Sequence, residues 1–129
     1  ARVFDPRHAR VAKANLDRAG VADRVEIVVG PALTTLPTLT GTFDLVFIDA
    51  DKENNSAYVE WAIELGRPGT VIVVDNAVRN GRIVNPQDLQ ARGVRDMLEM
   101  MGTHPRLDTA AIQTLGAKGW DGFALAVVI

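Results

Sequence analysis

Three side chains set the chemical question in this sequence: Asp49, Asp75 and Asn76. Asp49 ends the largely apolar run Phe43-Asp44-Leu45-Val46-Phe47-Ile48, and Asp75 ends the run Thr70-Val71-Ile72-Val73-Val74. Such runs read as strands of a parallel sheet, buried on both faces. In open parallel sheets, ligands sit outside the carboxyl ends of the strands. Two carboxylates delivered to that edge would repel each other, and a bound cation would relieve the repulsion. Two carboxylates and an amide oxygen form a hard, all-oxygen donor set. It suits Mg²⁺ or Ca²⁺ and leaves positions for water or substrate. Acids at strand ends also cap helices and solvate turns, so spacing alone leaves both readings open.

Lys52 follows Asp49 by three residues. A divalent cation nearby disfavours an ammonium group, which would let Lys52 act as a general base near neutral pH. The plainer alternative is a surface lysine in the first turn of a helix. Asp51 could contact substrate, complete the outer shell of a metal, or cap the following helix. Gly30-Pro31-Ala32 follows a strand at the same expected edge and offers a small, flat surface for a ring such as adenine; an ordinary strand-to-helix turn would read the same way. Arg79, Asn80 and Trp120 fall in loops at a possible pocket rim and receive no role. His8 and His104 are isolated, and Met97, Met100 and Met101 read as packing.

The elements that must position these residues follow from pattern. A short strand within residues 1–4 precedes Asp5-Pro6, an N-cap followed by proline at the first helical position. Ala9, Ala12, Leu16 and Ala19 then recur at helical spacing, with Gly20 as the stop. Residues 25–29 read as a strand and 32–39 as a short helix weakened by Thr34, Thr35 and Pro37. A helix is expected over 54–65, where Tyr58, Trp61, Ala62 and Leu65 share one face. Residues 77–85 read as a loop with a turn at Asn80-Gly81. Pro86 is expected to open a helix that presents Val94, Met97, Leu98 and Met101 and closes at Gly102. Residues 107–116 alternate. Gly119-Trp-Asp-Gly122 then reads as a turn into an apolar strand, an antiparallel pair. The sum is β-α-β-α-β-α-β-α-β-β: an α/β sandwich with a mostly parallel sheet and a closing hairpin.

Bulk properties narrow the class. The 129 residues suit one domain, residues 1–129, and nearly half of them are apolar. Net charge is −2 with both signs mixed, so no basic stripe points to nucleic acid and no cluster to a membrane surface. The absence of cysteine excludes disulfide frameworks and thiolate metal sites. No long apolar run or signal-peptide pattern is present, and the expectation is a cytoplasmic protein. The sequence has no G-x-G-x-x-G, no Walker lysine motif and no G-x-S-x-G elbow.

The run Phe43-Asp-Leu-Val-Phe-Ile-Asp-Ala-Asp-Lys-Glu-Asn-Asn55, with Pro68-Gly-Thr-Val-Ile-Val-Val-Asp-Asn76, resembles the cation-dependent O-methyltransferases that use S-adenosylmethionine. These are the catechol and caffeoyl-CoA O-methyltransferases, above all their small bacterial relatives. Gly30-Pro-Ala-Leu33 and Gly119-Trp-Asp-Gly-Phe123 match in the same register. The resemblance implies a Rossmann-like class I methyltransferase fold. It implies Asp49, Asp75 and Asn76 as metal ligands and Lys52 as the general base. It sets Asp49 near the methionine end of S-adenosylmethionine and Gly30, Pro31 and Ala32 along the adenine pocket. The implied substrate is a small aromatic hydroxyl compound such as a catechol, with Asp51 as a candidate contact.

Two departures from the family accompany this. An earlier strand with its Gly-rich loop has no counterpart, and Val3 stands where an acid binds the ribose, with Asp5 two residues away as a helix cap. In the family order 3-2-1-4-5-7-6, the missing strand falls between the first and third strands of this chain. The expectation is therefore a fragment of a longer protein, with rearranged strands or strand exchange in a homo-oligomer. The alternative function is an inactive fragment, or an interaction or dimerisation module that retains the methyltransferase core.

Overall fold

The computed structural model describes residues 2–117 and 119–129. It contains two compact units, Ala1–Leu39 and Thr40–Ile129.

In the first unit, β1 (Arg2–Val3) pairs in parallel with β2 (Val28–Val29), and α1 (Pro6–Ala19) connects them. The Asp5 carboxylate accepts the Arg7 backbone N–H at 2.7 Å, and Pro6 opens the helix, as expected. Gly20, at φ 70°, ends it in the left-handed region. The strand expected over 25–29 shrinks to two residues. Ala22–Arg24 forms a 3-10 turn, and β1 offers only two residues for pairing. The short helix expected over 32–39 divides into α2 (Ala32–Thr35) and a 3-10 turn, Leu36–Thr38. Pro37, which has no N–H to donate, falls in the second piece.

The second unit is a four-stranded sheet in the order β3-β4-β6-β5 with helices. Here β3 (Leu45–Ile48) runs parallel to β4 (Val71–Asp75), and α3 (Asn55–Glu64) makes the crossover. After α4 (Leu89–Thr103), β5 (Leu107–Gly116) and β6 (Gly119–Val128) form the antiparallel hairpin, and β6 lies antiparallel to β4. Residues alternate along β4 and β6: Ile72, Val74, Ala124, Ala126 and Val128 are buried, with Val59 and Ile63 of α3 and Val94, Met97 and Met101 of α4. Thr70 fastens the entrance of the parallel pair. Its hydroxyl donates to the Phe43 carbonyl at 2.6 Å and accepts the Arg67 N–H at 2.9 Å. Among the described residues, no helix is long and apolar enough to cross a membrane.

The described strands form two separate sheets, β1-β2 and β3-β4-β6-β5. Other expectations change. β3 is not buried on both faces: Leu45 and Phe47 are 61% and 60% exposed, while Ile48 on the opposite face is buried. Among the described residues, β3 ends its sheet, with β4 as its single paired neighbour. Helix α4 starts at Leu89 rather than Pro86, because the Asp88 carboxylate caps it by accepting the Ala91 N–H at 2.9 Å. It runs through Gly102 to Thr103, since Gly102 keeps a helical backbone. Gly119-Trp-Asp-Gly122 is strand rather than turn, paired with residues 113–116 of β5.

Candidate functional site

The register fixes the two acids. Ile48 pairs with Val74, so Asp49 and Asp75 are the next residues on adjacent strands. Neighbouring strands lie about 4.8 Å apart, so both carboxylates belong to one short stretch of edge. Asp75 is still in the sheet, opposite Phe123 of β6. One of its carboxylate oxygens accepts the Asn76 N–H at 2.7 Å. Asn76 itself has φ 60°, a left-handed conformation uncommon outside glycine and frequent at functional turns.

Lys52 lies in a 3-10 turn, Lys52–Asn54, between β3 and α3. It is 5% exposed, so the surface-lysine alternative does not hold. Its Nζ donates to Asp49 Oδ1 at 2.9 Å. A second element holds this turn. A Cβ on Gly93 of α4 would stand 2.4 Å from the Lys52 carbonyl oxygen and 2.8 Å from the Glu53 Cα. Only a glycine permits α4 to approach that closely.

Asp51 does not cap the turn that it precedes, and the capping alternative fails. Its carboxylate instead accepts the Tyr58 hydroxyl at 2.5 Å and the Asn54 side-chain amide. Burial pushes the Tyr58 phenol above its ordinary range, and the hydrogen bond to the Asp51 carboxylate pushes it further.

Asp121 of β6 organises the loop beyond Asn76. One carboxylate oxygen accepts the backbone N–H groups of Arg79, Gly122 and Val78, at 2.8, 2.9 and 3.2 Å. The other accepts Asn76 Nδ2 at 3.3 Å. Burial alone would raise the Asp121 carboxyl, but these four donors hold it below the usual aspartate range. The Ala77 N–H donates to the Gly122 carbonyl, and the Trp120 N–H to Asn80 Oδ1. Of the expected rim residues, Arg79 and Asn80 therefore belong to one clamped loop, whereas Trp120, expected in a loop, lies in β6 and is tied to Asn80. Left-handed backbone at Arg79, Asn80 and Gly81 forms the loop's turn.

Gly30, Pro31 and Ala32 belong to the first unit. Gly30 has φ 135°, a conformation that favours glycine, and its N–H donates to the Val3 carbonyl at 2.9 Å. The Pro31 carbonyl accepts from Thr34 and Thr35 and opens α2.

Asp49 and Asp75 thus follow paired residues of β3 and β4, Asn76 follows Asp75, and Lys52 contacts Asp49. Among the described residues, no group of three or more His, Cys, Asp or Glu side chains could hold a metal. The candidate set supplies two carboxylates, with an amide as third donor. Its chemistry still fits a hard cation, which takes amide oxygens readily. Sequence reasoning missed Gly93, Tyr58 and Asp121 as organisers. Gly93 had one available signal, a glycine within the apolar face of a helix, where it is disfavoured without a packing reason.

The sequence profile of the O-methyltransferase family matches residues 1–127. The chain is 66% identical over 127 residues to a catechol O-methyltransferase of Mycobacterium tuberculosis, a match covering 97% of this chain and 58% of that protein. A solved structure of cofactor-bound Rv0187 from MTB shares 65% identity with a TM-score of 0.95, over 98% of this chain and 59% of that one. The O-methyltransferase from Bacillus cereus in complex with SAH shares 44% identity with a TM-score of 0.95, over 99% of this chain and 61% of that one. The chain spans about three fifths of the length of these relatives.

Proposed function

The chain belongs to the O-methyltransferase family, and from that premise we propose that it transfers a methyl group from S-adenosylmethionine to a hydroxyl of a catechol-like aromatic acceptor, with a divalent cation bound at Asp49, Asp75 and Asn76. The observation that carries this reading is the in-register pairing of Ile48 with Val74, which brings Asp49 beside Asp75 on a rigid sheet edge. Relatives bound to a cofactor or to SAH support the choice of methyl donor.

The chemistry asks for such an edge. A phenol has a pKa of about 10, so little phenolate exists at neutral pH. A bound divalent cation would supply Lewis acidity, making an acceptor hydroxyl easier to deprotonate. Lys52 Nζ, buried and in contact with Asp49, is in reach of that edge to take the hydroxyl proton. Asp49 has two tasks, as an oxygen donor to the cation and as the group that holds Lys52. Asp51, oriented by Tyr58 and Asn54, is the candidate contact to the acceptor. Gly30, Pro31 and Ala32 are the candidate adenine contacts. Direct displacement needs an aligned nucleophile and methyl carbon, and strand ends hold side chains to the required tolerance.

The test is methyl transfer itself. With S-adenosylmethionine, Mg²⁺ and catechol, mass spectrometry should detect a monomethylated product that EDTA suppresses. Asp75→Ala should remove the dependence on Mg²⁺. No product, together with no calorimetric binding of S-adenosylmethionine in the presence of Mg²⁺, would overturn the proposal.

A further inference from the structure

Asn76 can face a cation with either end of its amide: Oδ1, which can coordinate, or Nδ2, which cannot. The backbone of Asn76 is fixed in the left-handed region, but that leaves the amide free to turn over. A neighbouring group has to choose. Among the described residues, the one side-chain partner of this amide is the Asp121 carboxylate, 45 residues away on β6, which accepts Nδ2 at 3.3 Å. An ionised carboxylate only accepts hydrogen bonds, so it can hold Nδ2 and never Oδ1. Among the described residues, nothing donates to Asn76 Oδ1.

Asp121 is itself rigidly placed. Its other oxygen takes three backbone N–H groups, those of Val78, Arg79 and Gly122. The strand there packs closely: a Cβ on Gly122 would lie 2.3 Å from the Ile112 carbonyl and 2.7 Å from the Val78 side chain. The Asp75↔Phe123 pairing sets β6 against the end of β4.

We infer that Asp121 is a positioning residue: it holds the Asn76 amide by its nitrogen and so leaves Oδ1 as the end offered to the cation. The inference rests on the reading of Asn76 as a metal donor. Such outer partners orient a ligand and tune its affinity without touching the metal.

The test is a double-mutant cycle on Mn²⁺ affinity, measured by electron paramagnetic resonance of free Mn²⁺ in the wild type, Asp121→Asn, Asn76→Ala and the double variant. Asp121→Asn keeps shape and leaves one oxygen for the backbone donors. It sets an NH₂ group where Asn76 Nδ2 was accepted, which favours the flipped amide. Expected is a loss of about 10- to 100-fold in Mn²⁺ affinity in the wild-type background, shrinking to within about threefold when Asn76 is already alanine. An equal loss in both backgrounds means that Asp121 acts only through loop structure, which overturns the inference, as does no loss in the wild type. If Asn76→Ala leaves Mn²⁺ affinity unchanged, the metal reading of Asn76 falls and the inference falls with it. Should Asp121→Asn fail to fold, the Asn76 side-chain NH₂ resonances of the unsubstituted protein decide. They should stay protected from exchange on adding Mg²⁺. Loss of protection would mean that the amide turns over, against the inference.

Discussion

Replacing Gly93 by alanine is the sharpest test of how the lysine is held. The new Cβ would stand 2.4 Å from the Lys52 carbonyl oxygen, 2.8 Å from the Glu53 Cα and 3.0 Å from the Lys52 carbonyl carbon. Ordinary contact begins at 3.4 Å, so α4 and the turn Lys52–Asn54 must separate by about 1 Å. All three obstacles are backbone atoms, which no rotamer change can move aside. Overpacking costs about 1–3 kcal/mol, and this site belongs at the upper end. Alanine returns about 1 kcal/mol in helix propensity. The expected net loss is therefore about 2 kcal/mol, read as a lower urea midpoint with an unchanged slope. The same displacement disturbs the Lys52–Asp49 contact, and a misplacement of that size costs about 100-fold in turnover. Gly102→Ala is the matched control. It lies in the same helix with nothing within 4 Å of the added Cβ, and should be neutral or stabilising. A Gly93→Ala protein with the wild-type midpoint and wild-type turnover would refute the reasoning.

Other predictions follow from single contacts. Tyr58 is the one tyrosine of the chain, so its ionisation can be followed by ultraviolet absorbance without ambiguity. Folding holds the phenol proton more tightly than the unfolded chain does. Stability is therefore full below the ordinary value of 10.0 and falls as pH rises from there through the raised value; tyrosinate absorbance appearing at pH 10 in the folded protein would contradict this. Thr70→Val should cost about 1–3 kcal/mol in thermal or urea unfolding, because the Phe43 carbonyl loses its donor. Lys52→Ala should slow turnover far more than it weakens Mg²⁺ binding; an unchanged rate would remove Lys52 as the base.

The strand and helix order was legible because apolar runs and helical spacing report local burial directly. The two acids were legible for the same reason: each ends a run whose register the sheet then fixes. Asp5-Pro6 and Gly20 announced their helix ends through capping chemistry. What failed depends on neighbours distant in sequence. The shortness of β2 and the exposed face of β3 at Leu45 and Phe47 are of this kind. The 3-10 turn that buries Lys52 owes its place to Gly93, 41 residues later, which no local spacing can reveal. The role of Asp121 was equally hidden, because its four donors come from residues 76–79 and 122.

The central claim is that the in-register ends of β3 and β4, completed by Asn76, form a cation site. The most direct measurement is the anomalous difference map of crystals of the protein grown with Mn²⁺. One strong peak is expected within coordination distance, about 2.0–2.6 Å, of oxygens from Asp49, Asp75 and Asn76. A map with no peak at that edge, or a peak that Asn76 does not touch, would contradict it.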